Sequence, residues 1–136
     1  MYKFIIIIIL FLLFYLYRKE HFINNNTIRI KKIFRTPKEQ MKGLMFMKKI
    51  ESDVGYMFYY NPPNIASFWM KNTFVPLDII FIDKHNRIVY LIEGMVPHDT
   101  TSRGYPKKIR YVIEIKSGYI KKYNLKHGMK IQFNYL

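Results

Sequence analysis

Leu77-Asp78-Ile79-Ile80-Phe81-Ile82 is the stretch on which the fold turns. It is apolar on both faces of an extended chain, interrupted only by Asp78. That pattern belongs to a strand covered on both faces and flanked by neighbours, a central strand. Asp83-Lys84-His85-Asn86 follows as a turn, and Arg87 to Ile92 returns as a second strand of a hairpin. Upstream, Gly55 to Tyr60 and Ile65 to Met70 read as two strands separated by Asn61-Pro62-Pro63-Asn64. Further upstream, Ile28 to Phe34 reads as a first strand. Downstream, Arg110 to Ile115 and Met129 to Tyr135 complete the set.

Only short helices fit between them. Thr36-Pro37-Lys38-Glu39 predicts a helix start, with Thr36 as cap, Pro37 in the first turn and Glu39 closing a capping box. Gly43 ends it. Ser117 to Asn124 predicts a helical turn, and Pro97 to Pro106 a flexible loop. The expected architecture is mainly β: a compact sandwich or barrel-like single domain over 28–136, with one or two short helices. A chain of 136 residues has room for one such domain.

The head differs from the rest. Met1 to Tyr17 holds 16 apolar residues and Lys3. Apolar on every face, it predicts a transmembrane helix, either a single-pass membrane anchor or an uncleaved signal, seated in the membrane through residues 4–17. A cleaved signal is the competing reading, but no small-x-small site follows. Arg18 and Lys19 outweigh Lys3 and favour a cytosolic domain, whereas a signal-like anchor would place it outside. Residues 18–27 form a polar linker.

With the head set aside, the charge is still +13 on 119 residues. There is no Cys, hence no disulfide, thiolate nucleophile or zinc finger. No Gly-rich phosphate loop, nucleophile elbow, His-Glu-x-x-His or RNA-recognition signature is present, so no cofactor or metal is implied.

In order along the chain stand Gly43-Leu44-Met45-Phe46, Gly55-Tyr56-Met57-Phe58, Phe68-Trp69-Met70-Lys71-Asn72-Thr73 and Pro76-Leu77-Asp78-Ile79-Ile80-Phe81-Ile82-Asp83. Val112-Ile113-Glu114-Ile115-Lys116-Ser117-Gly118 comes later. This set resembles the small family called domain of unknown function 192, over about residues 28 to 134. Two positions depart from the family's pattern. Met47 stands where Arg is usual, and Met129 follows Gly128 where Asp is usual. The resemblance implies a compact, mainly β sandwich-like domain, frequent N-terminal export or anchor segments, and no established activity.

The candidate site residues are few. Asp78 sits in an otherwise apolar strand, and a buried carboxylate must be paired or hydrogen-bonded, or become neutral. It is read as a structural peg bonded to the turn Asn72-Thr73, with Lys71 as a possible charge partner. Alternatively it is an acid, a base or a ligand anchor. Glu114 is read as the outward member of an alternating strand; turned inward, it would join Asp78 as a pair for acid–base chemistry. Trp69 is read as a core plug, or else as a stacking platform. His98-Asp99, with Thr100, Thr101 and Ser102, reads as a solvated loop.

Three functions follow. The first is a membrane-anchored, noncatalytic binding or accessory module with a shallow site at Trp69, Lys71, Asn72, Thr73 and Asp78. The second is a hydrolytic enzyme using Asp78 and Glu114. The third is nucleic-acid or anionic-surface binding through Lys31-Lys32, Lys48-Lys49, Lys107-Lys108 with Arg110, and Lys121-Lys122. No specific nucleic-acid motif supports it. A chain rich in Ile, Asn, Lys, Tyr and Phe and poor in Ala also carries a Lys excess from coding bias alone.

Overall fold

The computed structural model describes residues 2–24 and 26–136, with the side chains of 4–17 and 26–136. The elements run α1 (Tyr2–Asn24), β1 (Thr27–Phe34), α2 (Pro37–Lys42), β2 (Gly55–Phe68), β3 (Leu77–Ile82), β4 (Ile88–Met95), β5 (Arg103–Lys116), α3 (Tyr119–Lys122) and β6 (Gln132–Tyr135). The strands form one six-stranded sheet in the order β4-β3-β5-β2-β1-β6. β1 runs parallel to both β2 and β6, and the other neighbours are antiparallel. The mainly β single domain, expected as a sandwich or barrel-like fold, is built on a single mixed sheet. Its outer ends approach one another: Ile88 N–H donates to Met129 O at 2.9 Å, and Arg87 bridges Lys130.

β3 carries the fold as its sequence requires. All six residues are buried, and the strand lies between β4 and β5. Its alternation feeds two core layers. Ile79 and Phe81 pack with Phe58, Phe68 and Val112, whereas Ile80 and Ile82 pack with Met57, Ile113 and Ile28. In the first layer aromatic rings chain together, Phe34–Phe58 at 4.8 Å and Phe58–Phe68 at 4.9 Å between centroids.

Two separate strands were expected across Asn61-Pro62-Pro63-Asn64, but β2 is continuous. The register against β5 slips between Tyr59 and Asn64. Proline lacks an N–H for the ladder, and the slip places both prolines where no ladder bond is needed. The expected loop Pro97 to Pro106 is correspondingly shortened, since Arg103 to Pro106 already belong to β5. Here Gly104 faces Ala66 so closely that a Cβ would sit 2.4 Å from the Ala66 carbonyl oxygen. Only glycine allows that approach.

α2 has the expected cap. Glu39 N–H donates to Thr36 Oγ1 at 3.2 Å, and Thr36 N–H donates to the Glu39 carboxylate at 3.0 Å. Gly43 closes the helix with a positive φ of 48°. Thr36→Ala should cost about 1 kcal/mol by removing that cap. Urea denaturation checks this; an unchanged midpoint would mean that α2 does not depend on its box.

The membrane expectation is corrected. Among the described residues, no helix is long and apolar enough to cross a membrane. The physical reason is length. The exposed apolar run Phe4 to Tyr17 spans about 21 Å at 1.5 Å per residue, against a hydrocarbon core of roughly 30 Å. Arg18, Lys19, Glu20 and His21 then continue the same helix. The reading of the head as a transmembrane helix, and of a single-pass membrane localisation, is thereby overturned. Met1 of that head and Asn25 of the linker lie outside the described residues, as does the side chain of Lys3. The linker 18–27 is helical as far as Asn24.

Candidate functional site

Asp78 and Glu114, considered above as a pair, leave the sheet on opposite faces. In the β3–β5 register Asp78 stands beside Ile115, and Ile79 beside Glu114. Side chains of directly opposed residues share a face, and the next pair takes the other. Glu114 therefore joins the Ile79 and Phe81 layer, and Asp78 faces away from it.

Asp78 is buried and fully engaged. Gly94 N–H donates to Oδ1 at 2.9 Å, and Gly118 and Ile120 N–H donate to Oδ2 at 3.0 Å each. The peg reading holds, but its partners differ from the expected turn Asn72-Thr73. The carboxylate ties the start of α3 to the positive-φ turn at Gly94 in β4. Sequence spacing could not show this, because those partners lie 16, 40 and 42 residues away.

Glu114 points inward, contrary to the alternation expected of β5. Its strand is covered on both faces, so Val112 to Ile115 are all buried. Burial pushes the Glu114 carboxyl up to about 8. Desolvation, the cause of the shift, favours the neutral acid. Oε2 has no hydrogen-bond partner among the described residues.

This carboxyl borders a cavity of about 170 Å³. Gln40, Lys42 and Gly43 line it from α2 and its cap, Phe58, Tyr60, Ser67 and Phe68 from β2, and Trp69 and Thr73 from the turn beyond. α2 is braced there by Gln40 Nε2, which donates to Phe34 O at 3.2 Å and Tyr59 O at 2.9 Å. A methyl group added at Gly43 would lie 3.1 Å from the Phe58 ring and 3.6 Å from Glu114 Oε2. Glycine thus opens the wall as well as ending the helix. The Tyr60 hydroxyl is pushed up to about 12, by burial first and the Glu114 charge second.

The turn 69–73 is positioned by its backbone. Met70 N–H donates to Asp99 O at 2.7 Å, and His98 N–H to Met70 O at 3.0 Å. Phe46 N–H donates to Asn72 O at 2.8 Å, with Asn72 in a left-handed conformation. His98-Asp99 is thus a brace for this turn. Trp69, expected as a core plug, is 44% exposed at the rim, with Lys71 Nζ 5.2 Å from its ring centre. Thr73 is buried, and its hydroxyl donates to Lys71 O at 3.2 Å. Of the residues named from sequence, Trp69, Thr73 and Glu114 meet at the cavity, while Asp78 serves the other face. Met47, at the position where the family usually has Arg, packs against the first core layer.

Sequence reasoning missed Gln40, Gly43 and Ser67 as wall residues. Only Gly43 carried a signal, as a helix-ending glycine.

No curated protein matches the chain. A protein of unknown function from Novosphingobium aromaticivorans is similar in structure, with a TM-score of 0.70, 38% identity, and cover of 74% of this chain and 71% of that one. A proposed transcription regulator from Sinorhizobium meliloti also has a TM-score of 0.70, at 28% identity, with cover of 72% and 76%. The family model of domain of unknown function 192, described as an uncharacterized ACR, matches residues 20–133. With most of its length matched, the chain belongs to the domain of unknown function 192 family.

Proposed function

We propose that this domain is a noncatalytic binding module whose site is the cavity at Glu114. One observation carries the reading: a buried carboxyl oxygen without a protein partner borders a cavity rimmed by an exposed Trp. Unpaired buried polar groups are costly and rare, and cavities with a few convergent polar groups are where small ligands bind. Gln40, Ser67 and Thr73 supply further polar groups, and Phe58, Phe68 and Trp69 the apolar wall. Catalysis by paired carboxylates is disfavoured by geometry, because Asp78 is on the other face and committed to three amides.

The test is a screen of the full chain against small amines, alcohols, carboxylates and sugars, read by backbone amide NMR shifts. Binding should move Gly43, Ser67, Thr73 and Glu114 together, and Trp69→Ala should weaken it roughly tenfold, the loss of one aromatic contact of about 1.4 kcal/mol. Shifts confined to other surfaces, or none at all, would contradict the reading.

A second reading has a specific support. Lys84 and Lys108, distant in sequence, line one surface hollow beside Pro62 and Pro63. Lys84 of the turn after β3 and Lys108 of β5 share that hollow with Asp83 and His85, and the Sinorhizobium relative is described as a proposed regulator. Polyanion binding there would weaken steeply with salt. Affinity for a DNA duplex that is insensitive to salt, or absent at low salt, excludes it.

A further inference from the structure

We propose that the Glu114 cavity takes a small organic cation, a primary ammonium or guanidinium group, with its charge against the Glu114 carboxylate and its stem toward the Trp69 rim. The inference rests on the binding reading above and names its ligand class.

A carboxylate only accepts hydrogen bonds, so the group that completes it must donate. Ammonium and guanidinium donate several bonds and also neutralise a charge that burial otherwise disfavours. The surrounding walls suit a cation. Phe58, Phe68, Tyr60 and Trp69 present aromatic surface, whose faces attract cations within about 6 Å. Lys71 Nζ already sits 5.2 Å from the centre of the Trp69 ring, so that ring accepts an ammonium in this fold. The Ser67 and Thr73 hydroxyls add acceptor capacity. A cavity of about 170 Å³ admits a group of a few heavy atoms and excludes a large ligand head.

Two features oppose the cation. Lys42 lines the same cavity, and the chain carries +14 overall. The distributed charge is screened beyond about 8 Å in physiological salt, whereas the carboxyl contact is direct.

A cation must displace the proton that burial keeps on Glu114, so affinity should rise with pH. The titratable and charged groups that face this carboxyl are Tyr56 and Tyr60 from β2 and Lys42 from α2; its β3 neighbour is Ile79. Burial raises both tyrosines above their ordinary value, so neither ionises below pH 9.

The experiment titrates the full chain with n-butylammonium and methylguanidinium, and in parallel with neutral 1-butanol and anionic butyrate. Fluorescence of Trp69, the single Trp, and calorimetric heats are read at pH 6 and pH 9. The expected result is that the cations bind, roughly tenfold or more tightly at pH 9 than at pH 6, and release a proton at pH 6 but hardly any at pH 9. Glu114→Gln, shown folded by circular dichroism, should lose both the affinity and its pH dependence, while Glu114→Asp keeps part of each. Binding of butanol or butyrate in preference to the cations overturns the cation assignment and leaves the binding site standing. Equal cation binding by Glu114→Gln also overturns it. Binding of none of the four overturns both.

Discussion

Replacing Asp78 by Ala should remove about 4 kcal/mol of stability, a large fraction of the roughly 5–15 kcal/mol that holds a domain of this size together. The side chain accepts from the Gly94, Gly118 and Ile120 amides. Its loss strands the buried Ile120 amide, where an unsatisfied donor costs about 1–3 kcal/mol, and removes two further charge-assisted bonds from the amides of the more exposed Gly94 and Gly118. Asp78→Asn should lose about half as much, because one carbonyl oxygen remains while the new NH₂ faces donors. Urea denaturation of the full chain measures both. A loss below about 1 kcal/mol for Asp78→Ala would mean that the three bonds are replaced without cost and that Asp78 is not the peg described.

The second large effect concerns pH. Glu114 titrates near 8 in the folded chain against an ordinary value of 4.5. Between those values the unfolded chain has released this proton and the folded chain retains it. Stability therefore falls as pH rises through that window, by about 1.4 kcal/mol per unit, and levels off above pH 8. The full loss is of order 5 kcal/mol. Glu114→Gln carries no such proton, so its stability should be flatter from pH 5 to 8 and should exceed that of the parent at pH 8 by a few kcal/mol. Thermal or urea unfolding across pH 5, 6, 7 and 8 provides the comparison. Parallel curves for parent and variant would show that Glu114 is ionised at neutral pH despite its burial.

Local patterns were legible wherever the cause was local. The cap Thr36 with Glu39, the stop at Gly43 and the limits of β3 all follow from neighbouring residues, and the structure places them as read. What failed depended on distance along the chain. The continuity of β2 through Pro62 and Pro63 is granted by a register slip against β5, which has no sequence sign. Glu114 was read outward because alternation assumes one solvent face, and here α2 and the turn 69–73 cover the second. Trp69 was read inward because large aromatic residues are usually buried, yet the bracing of its turn by His98 and Asp99 holds it at the surface. The head misled through composition. The run of 14 falls short of a bilayer, and counting from Met1 brings its 17 residues only to the low edge of a spanning helix.

The binding reading rests on a Glu114 carboxyl held neutral by burial, with Oε2 unpartnered, beside the cavity. The direct measurement is the pH titration of its side-chain carboxyl carbon by NMR, assigned by the resonance lost in Glu114→Gln. The expected result is a midpoint near 8 that moves down when n-butylammonium is added. A midpoint near 4.5, unmoved by the ammonium, would show a solvated carboxylate and contradict both the buried acid and the site built on it.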